Sequence, residues 1–68
     1  MDREEVLALL RESIDREGGI AAWARRHAVS EQYTRDVVAR RRPPGPGILK
    51  SLGLQRDAAT YSEVQAHG

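Results

Sequence analysis

The stretch from Arg42 to Gly47, Arg-Pro-Pro-Gly-Pro-Gly, constrains this chain more than any other. Proline lacks the N–H donor that helix and sheet both use, and it disfavours helix in the residue before it. No regular element therefore runs through this stretch. A second break stands at Gly18-Gly19, because glycine accepts the left-handed conformation that closes helices. Only short elements fit around these breaks, and 68 residues make one small domain. A domain of this size buries only about 60% of the surface its unfolded chain exposes.

Periodicity fills the space between the breaks. Asp2 is placed to cap a first helix, and Glu4 and Glu5 suit its positive end. Val6, Leu9, Leu10, Ser13 and Ile14 share one face of it. A second helix is predicted over about 20–27, with Ile20, Trp23, Ala24 and His27 inward and Ala22, Arg25 and Arg26 outward. Ser30 is a good N-cap for a third helix from Glu31 to Arg40 or Arg41. At one hundred degrees per residue, Tyr33, Thr34, Val37 and Val38 fall inward. Gln32, Arg35, Asp36 and Ala39 fall outward, with Glu31 at the margin. Pro46 suits the first turn of a fourth helix over about 46–52, closed by Gly53, with Ile48, Leu49, Leu52 and Leu54 as core contacts. The expected fold class is all-α, a small four-helix domain over 1–56 with a tail over 57–68. Thr60, Tyr61 and Val64 give that tail the option of one short β-strand over 59–64, although its alternation is poor.

Composition narrows the function. The absence of cysteine removes disulfides and Cys-based zinc sites and fits a reducing cytoplasm. His27 and His67 stand forty residues apart, without ligand spacing, so no metal or other cofactor is expected. No apolar run approaches the ~20 residues of a membrane span, and the acidic start "MDREEVLALL" is unlike a basic signal peptide. No histidine neighbours a serine nucleophile, and Gly45-Pro46-Gly47 is turn chemistry, so no enzyme and no small-molecule ligand are expected. The net charge of +1 conceals a strong asymmetry. Residues 1–19 hold three basic and six acidic side chains, whereas residues 20–56 hold eight basic and two acidic ones. That middle segment attracts phosphate whatever the total charge.

Two short helices joined by four residues, the second opening at Ser30, have the layout of a helix-turn-helix. An α-helix fits the major groove of B-DNA and brings its N-terminal side chains to base edges, while the preceding helix lies across the backbone. Small Ala24 lets the two helices approach closely.

The segment "AAWARRHAVSEQYTRDVVARRRPPGPGILKSLGL", Ala21 to Leu54, resembles the Cro/repressor-type helix-turn-helix proteins of phages and bacteria. The likeness covers about half the chain. It lies in the alanine of the scaffold helix, the Val29-Ser30 turn, the aliphatic positions of the next helix, the basic-Pro loop and the "ILKSLGL" helix. Two positions depart from the pattern. Ala28 stands where the family usually has glycine, and a left-handed non-glycine residue costs about 1–2 kcal/mol. Thr34 occupies a usually aliphatic position.

The resemblance implies that Glu31, Gln32, Arg35 and Asp36 face the bases, with Ser30 and Tyr33 near phosphates. Gln32 suits adenine, Arg35 suits guanine, and Glu31 or Asp36 suits cytosine N4. Arg40, Arg41 and Arg42 sit at the negative end of the helix against a stiff loop and are expected to grip phosphates, with Arg25 and Arg26 beside them. The same acids have an arginine four residues on, Arg35 and Arg40, so surface ion pairing is the competing reading. Trp23 is expected in the core and Tyr33 against the loop.

The expected function is a sequence-specific regulator of double-stranded DNA, a Cro-like repressor occluding a promoter. It would act as a cytoplasmic homodimer joined through Ala59, Thr60, Tyr61 and Val64. The alternative is a protein-interaction module on the same fold, an antitoxin, an anti-repressor or a subunit of a larger regulator, which would need an exposed apolar patch.

Overall fold

The computed structural model describes residues 1–57 and 60–64. Four helices, α1 (Arg3–Glu17), α2 (Ile20–Arg26), α3 (Glu31–Val38) and α4 (Pro46–Ser51), precede two strands, β1 (Leu54–Arg56) and β2 (Tyr61–Glu63). The domain is mostly helical, and none of the helices is long and apolar enough to cross a membrane.

The helices start where the sequence places their caps. Asp2 accepts from the Glu5 amide at 2.9 Å, and the Glu5 carboxylate accepts from the Asp2 amide at 3.2 Å. This reciprocal capping box satisfies two otherwise orphan donors. Ser30 Oγ accepts from the Tyr33 amide at 3.1 Å and opens α3. Pro46 lies in the first turn of α4, where its missing N–H costs nothing.

The first three helices end by one device. At the close of α1, Gly18 N–H reaches Asp15 O and Gly19 N–H reaches Ile14 O. At the close of α2, Ala28 and Val29 repeat this pattern onto Arg25 O and Ala24 O. At the close of α3, Arg40 and Arg41 repeat it onto Val37 O and Asp36 O. Each is a Schellman closure around one left-handed residue: Gly18, Ala28 with φ 56° and Arg40 with φ 64°. The third helix thus stops at Val38 and does not continue to Arg40 or Arg41. Arg40 turns left-handed and redirects the chain three residues before Pro43.

Ala28 bears the strain expected of it and is exposed. Ala28→Gly should relieve about 1–2 kcal/mol of left-handed strain and restore about 0.4–1 kcal/mol of unfolded-state entropy. A net gain of about 0.5–1 kcal/mol is expected. An unchanged or lower urea midpoint would show that no strain is stored there.

The core has two parts. Leu7, Leu10, Ile14, Trp23, Val37 and Ile48 form the larger cluster, with Ile20, Val29, Tyr33, Val38 and Leu52 packed against it. Val6, Leu49 and Leu54 form the smaller one, with Met1, Leu52 and Tyr61 at its edge. Because α1 serves both clusters, its buried stripe is shifted towards Leu7, which is fully buried. Leu9, expected inward, is 37% exposed. Thr34 is fully buried with its hydroxyl donating to Ser30 O at 2.8 Å, so the polar group in this aliphatic position is satisfied.

The tail supplies one short strand, β2, and its partner β1 comes from the segment before it. β1 and β2 pair antiparallel with Leu54 opposite Glu63, Gln55 opposite Ser62 and Arg56 opposite Tyr61. On the other side of β2, Tyr61 N–H donates to Met1 O at 2.9 Å, and the Met1 amine donates to Tyr61 O. Thr60 Oγ1 also bonds the Met1 backbone. Thr60 and Tyr61 therefore have partners inside the chain, Val64 is exposed, and Ala59 lies outside the described residues.

Candidate functional site

The third helix divides sharply into two sides. Thr34 and Val37 are fully buried, while Glu31, Gln32 and Arg35 are exposed. Ser30, also exposed, sits at its N-terminal end. The 3.6-residue period alone produces this division, because the apolar members recur three and four positions apart.

Asp36 corrects the expected outward set. The residue is only 9% exposed, and its carboxylate is the hub of a local network. Oδ1 accepts from Gln32 Nε2 at 3.0 Å and from Arg41 Nε at 3.0 Å. Oδ2 faces Arg42 Nε at 3.4 Å. The Arg41 hydrogen bond holds the Asp36 carboxyl below its ordinary pKa against the opposing effect of desolvation, helped by Gln32 and both guanidinium charges. Sequence spacing pairs Asp36 with Arg40, four residues on. The left-handed turn at Arg40 breaks helical spacing and delivers the fifth and sixth residues instead.

Arg40 is the second correction. Its guanidinium leaves α3 and binds Glu4 on α1, with Nε at 3.0 Å from Oε2 and Nη2 on Oε1. That hydrogen bond lowers the Glu4 pKa and raises that of Arg40. The arginine triplet is therefore split: Arg40 straps the end of α3 to the start of α1, while Arg41 and Arg42 stay beside Asp36. Glu31 and Arg35 form the ion pair expected from their spacing, at 2.8 Å. Arg26 pairs with Glu17 at 3.1 Å. Arg25 has no ion pair among the described residues and is exposed.

Tyr33 fixes the basic-Pro loop against the helix. Its hydroxyl donates to Pro43 O at 3.1 Å, and the Arg42 guanidinium lies 5.9 Å from its ring centroid. A side chain at Gly45 would meet the Tyr33 hydroxyl and push it away from Pro43 O, so glycine lets the two approach closely. Beside this contact lies a cavity of about 280 Å³ between Tyr33, Arg42, the prolines, Leu49 and Arg56. Arg56 is not legible in the sequence as a neighbour of this loop, because nothing local places β1 beside it.

Both lowered carboxylates bind protons more weakly in the folded chain than in the unfolded one. The unfolded state therefore takes up more protons as pH falls through the carboxylate range, and stability drops with it. Thermal melting should hold near neutrality and decline below about pH 4, the ordinary carboxylate range. Asp36→Asn should flatten that decline, and an identical pH profile for this variant would remove Asp36 from the account. No family model, no curated protein and no solved structure matches this chain.

Proposed function

We propose that this domain binds duplex DNA in a sequence-dependent way, as a Cro/repressor-type helix-turn-helix regulator that occludes a promoter. The α2–α3 unit is its reading module, with α3 in the major groove. One observation carries this: α3 buries Thr34 and Val37, presents Glu31, Gln32 and Arg35, and keeps Arg41 and Arg42 beside that same flank. Polar side chains at the start of a helix suit base edges, and guanidinium groups next to them suit the sugar–phosphate backbone. Gln32 and Arg35 are the readers. Glu31 holds Arg35 until the groove offers it a base. Ser30, Tyr33, Arg25, Arg41 and Arg42 serve the backbone.

Two copies would engage half-sites about 34 Å apart. With Thr60 and Tyr61 bonded within the chain, Val64 is the one large apolar side chain left exposed among the described tail residues. The operator, rather than a large interface, would then hold the two copies together. A protein-docking role on the same fold has less support. Among the described residues, Leu9 and Val64 are the exposed large apolar side chains, which is little for such an interface.

Titration of a labelled mixed-sequence duplex at 50 and 200 mM salt tests the proposal. With one phosphate neutralised by each of Arg25, Arg41 and Arg42, a slope near −0.9 for each lowers affinity about 40-fold across that range. Arg41→Ala should weaken all duplexes alike, whereas Gln32→Ala or Arg35→Ala should relax preference at particular base pairs. Affinity indifferent to salt would defeat the proposal.

A further inference from the structure

The way Asp36 holds its three partners points beyond simple charge pairing. Both arginines approach it through Nε, at 3.0 and 3.4 Å. A guanidinium carries five N–H groups, of which Nε bears one. The Nη end that grips phosphate in bidentate fashion is not used by this contact. Arg40 differs, because it gives both Nε and Nη2 to Glu4. Gln32 likewise gives Nε2 to Asp36 at 3.0 Å. A primary amide has two N–H groups, so one N–H and the carbonyl oxygen remain. That pair is the one adenine engages through N7 and N6.

We propose that Asp36 is a positioning residue for sequence reading: its carboxylate locks the Gln32 amide for adenine and holds Arg41 and Arg42 with their Nη ends left for phosphate. The inference rests on the duplex-binding function proposed above and adds what fixes the Gln32 amide for that base. Asp36 touches no base itself. A carboxylate so close to phosphates opposes binding in general, so its gain lies in discrimination.

A double-mutant cycle on Gln32→Ala and Asp36→Asn tests this, using operator duplexes chosen from a random pool. The base pair read by Gln32 is the one whose preference Gln32→Ala reduces most. Asp36→Asn should cut preference at that same pair about tenfold, a loss larger than any change in affinity for mixed duplex. In the Gln32→Ala background it should cut that preference no further. Additive losses, or a preference at that pair untouched by Asp36→Asn, would overturn the inference. So would an equal fall for every duplex together with a lower melting temperature, since that marks a merely structural role.

A measurement without DNA separates this inference from the function it rests on. In the free protein, the Gln32 side-chain amide protons should resonate apart from those of exposed glutamines and return to them in Asp36→Asn. If the wild-type Gln32 amide already resonates with exposed glutamines, the positioning role fails while duplex binding stands. If the wild-type chain shows no salt-dependent duplex affinity, both fall together.

Discussion

Trp23→Ala should leave the domain largely unfolded at 25 °C. Trp23 is fully buried and is the largest side chain of the main cluster, where Leu7, Leu10, Ile14, Val37 and Ile48 gather. Truncating a buried tryptophan costs about 3–5 kcal/mol, from lost transfer energy and from the cavity left behind. Proteins have about 0.05–0.15 kcal/mol of stability per residue, which gives a domain of this length roughly 3–10 kcal/mol. The loss therefore equals much or all of the total. A polar consequence adds to it. Trp23 Nε1 donates to Ser13 Oγ at 2.8 Å, so the contact between α1 and α2 loses a hydrogen bond as well as packing. Far-UV circular dichroism with urea is the suitable readout, because the substitution removes the chain's one tryptophan. A cooperative transition within a few degrees of the wild-type melt would place the core elsewhere.

Ala24→Leu should be the next most damaging change, and it should act on function as well as stability. Ala24 is 1% exposed on α2, which packs between α1 and α3. Its carbonyl also accepts the Val29 amide at 3.0 Å, the bond that closes the turn between α2 and α3. Forcing three more carbons into this site costs about 1–3 kcal/mol through displaced backbone and strained rotamers. The displacement falls on α3, so surviving folded protein should lose affinity for every duplex and lose base preference too. Amide shifts at Thr34 and Val37 would track the movement. An unchanged urea midpoint would mean that the two helices do not need a small residue between them.

These two positions also mark how far the sequence is legible. Trp23 and Ala24 fall inward by period alone, as do Thr34 and Val37 on α3. Asp2, Ser30 and Pro46 identify helix starts because capping and proline chemistry act within three or four residues. Arg40 is different. Its left-handed turn has no glycine to announce it, and the acid that holds it lies 36 residues away in the chain. Asp36 is different for a related reason. Its partners at the fifth and sixth positions follow only if the helix ends at Val38 and the chain turns back. β1 was equally silent, since three residues of mixed burial carry no period, and its pairing with β2 is a tertiary fact.

Local forces therefore settled the helix starts, the Pro/Gly break and the inner face of α3, all of which depend on neighbours within one turn. Tertiary structure decided which acid holds which arginine and where the tail strand finds its partners. Ion pairs and sheet ladders join residues distant in sequence, and only the folded path brings those groups within reach of one another.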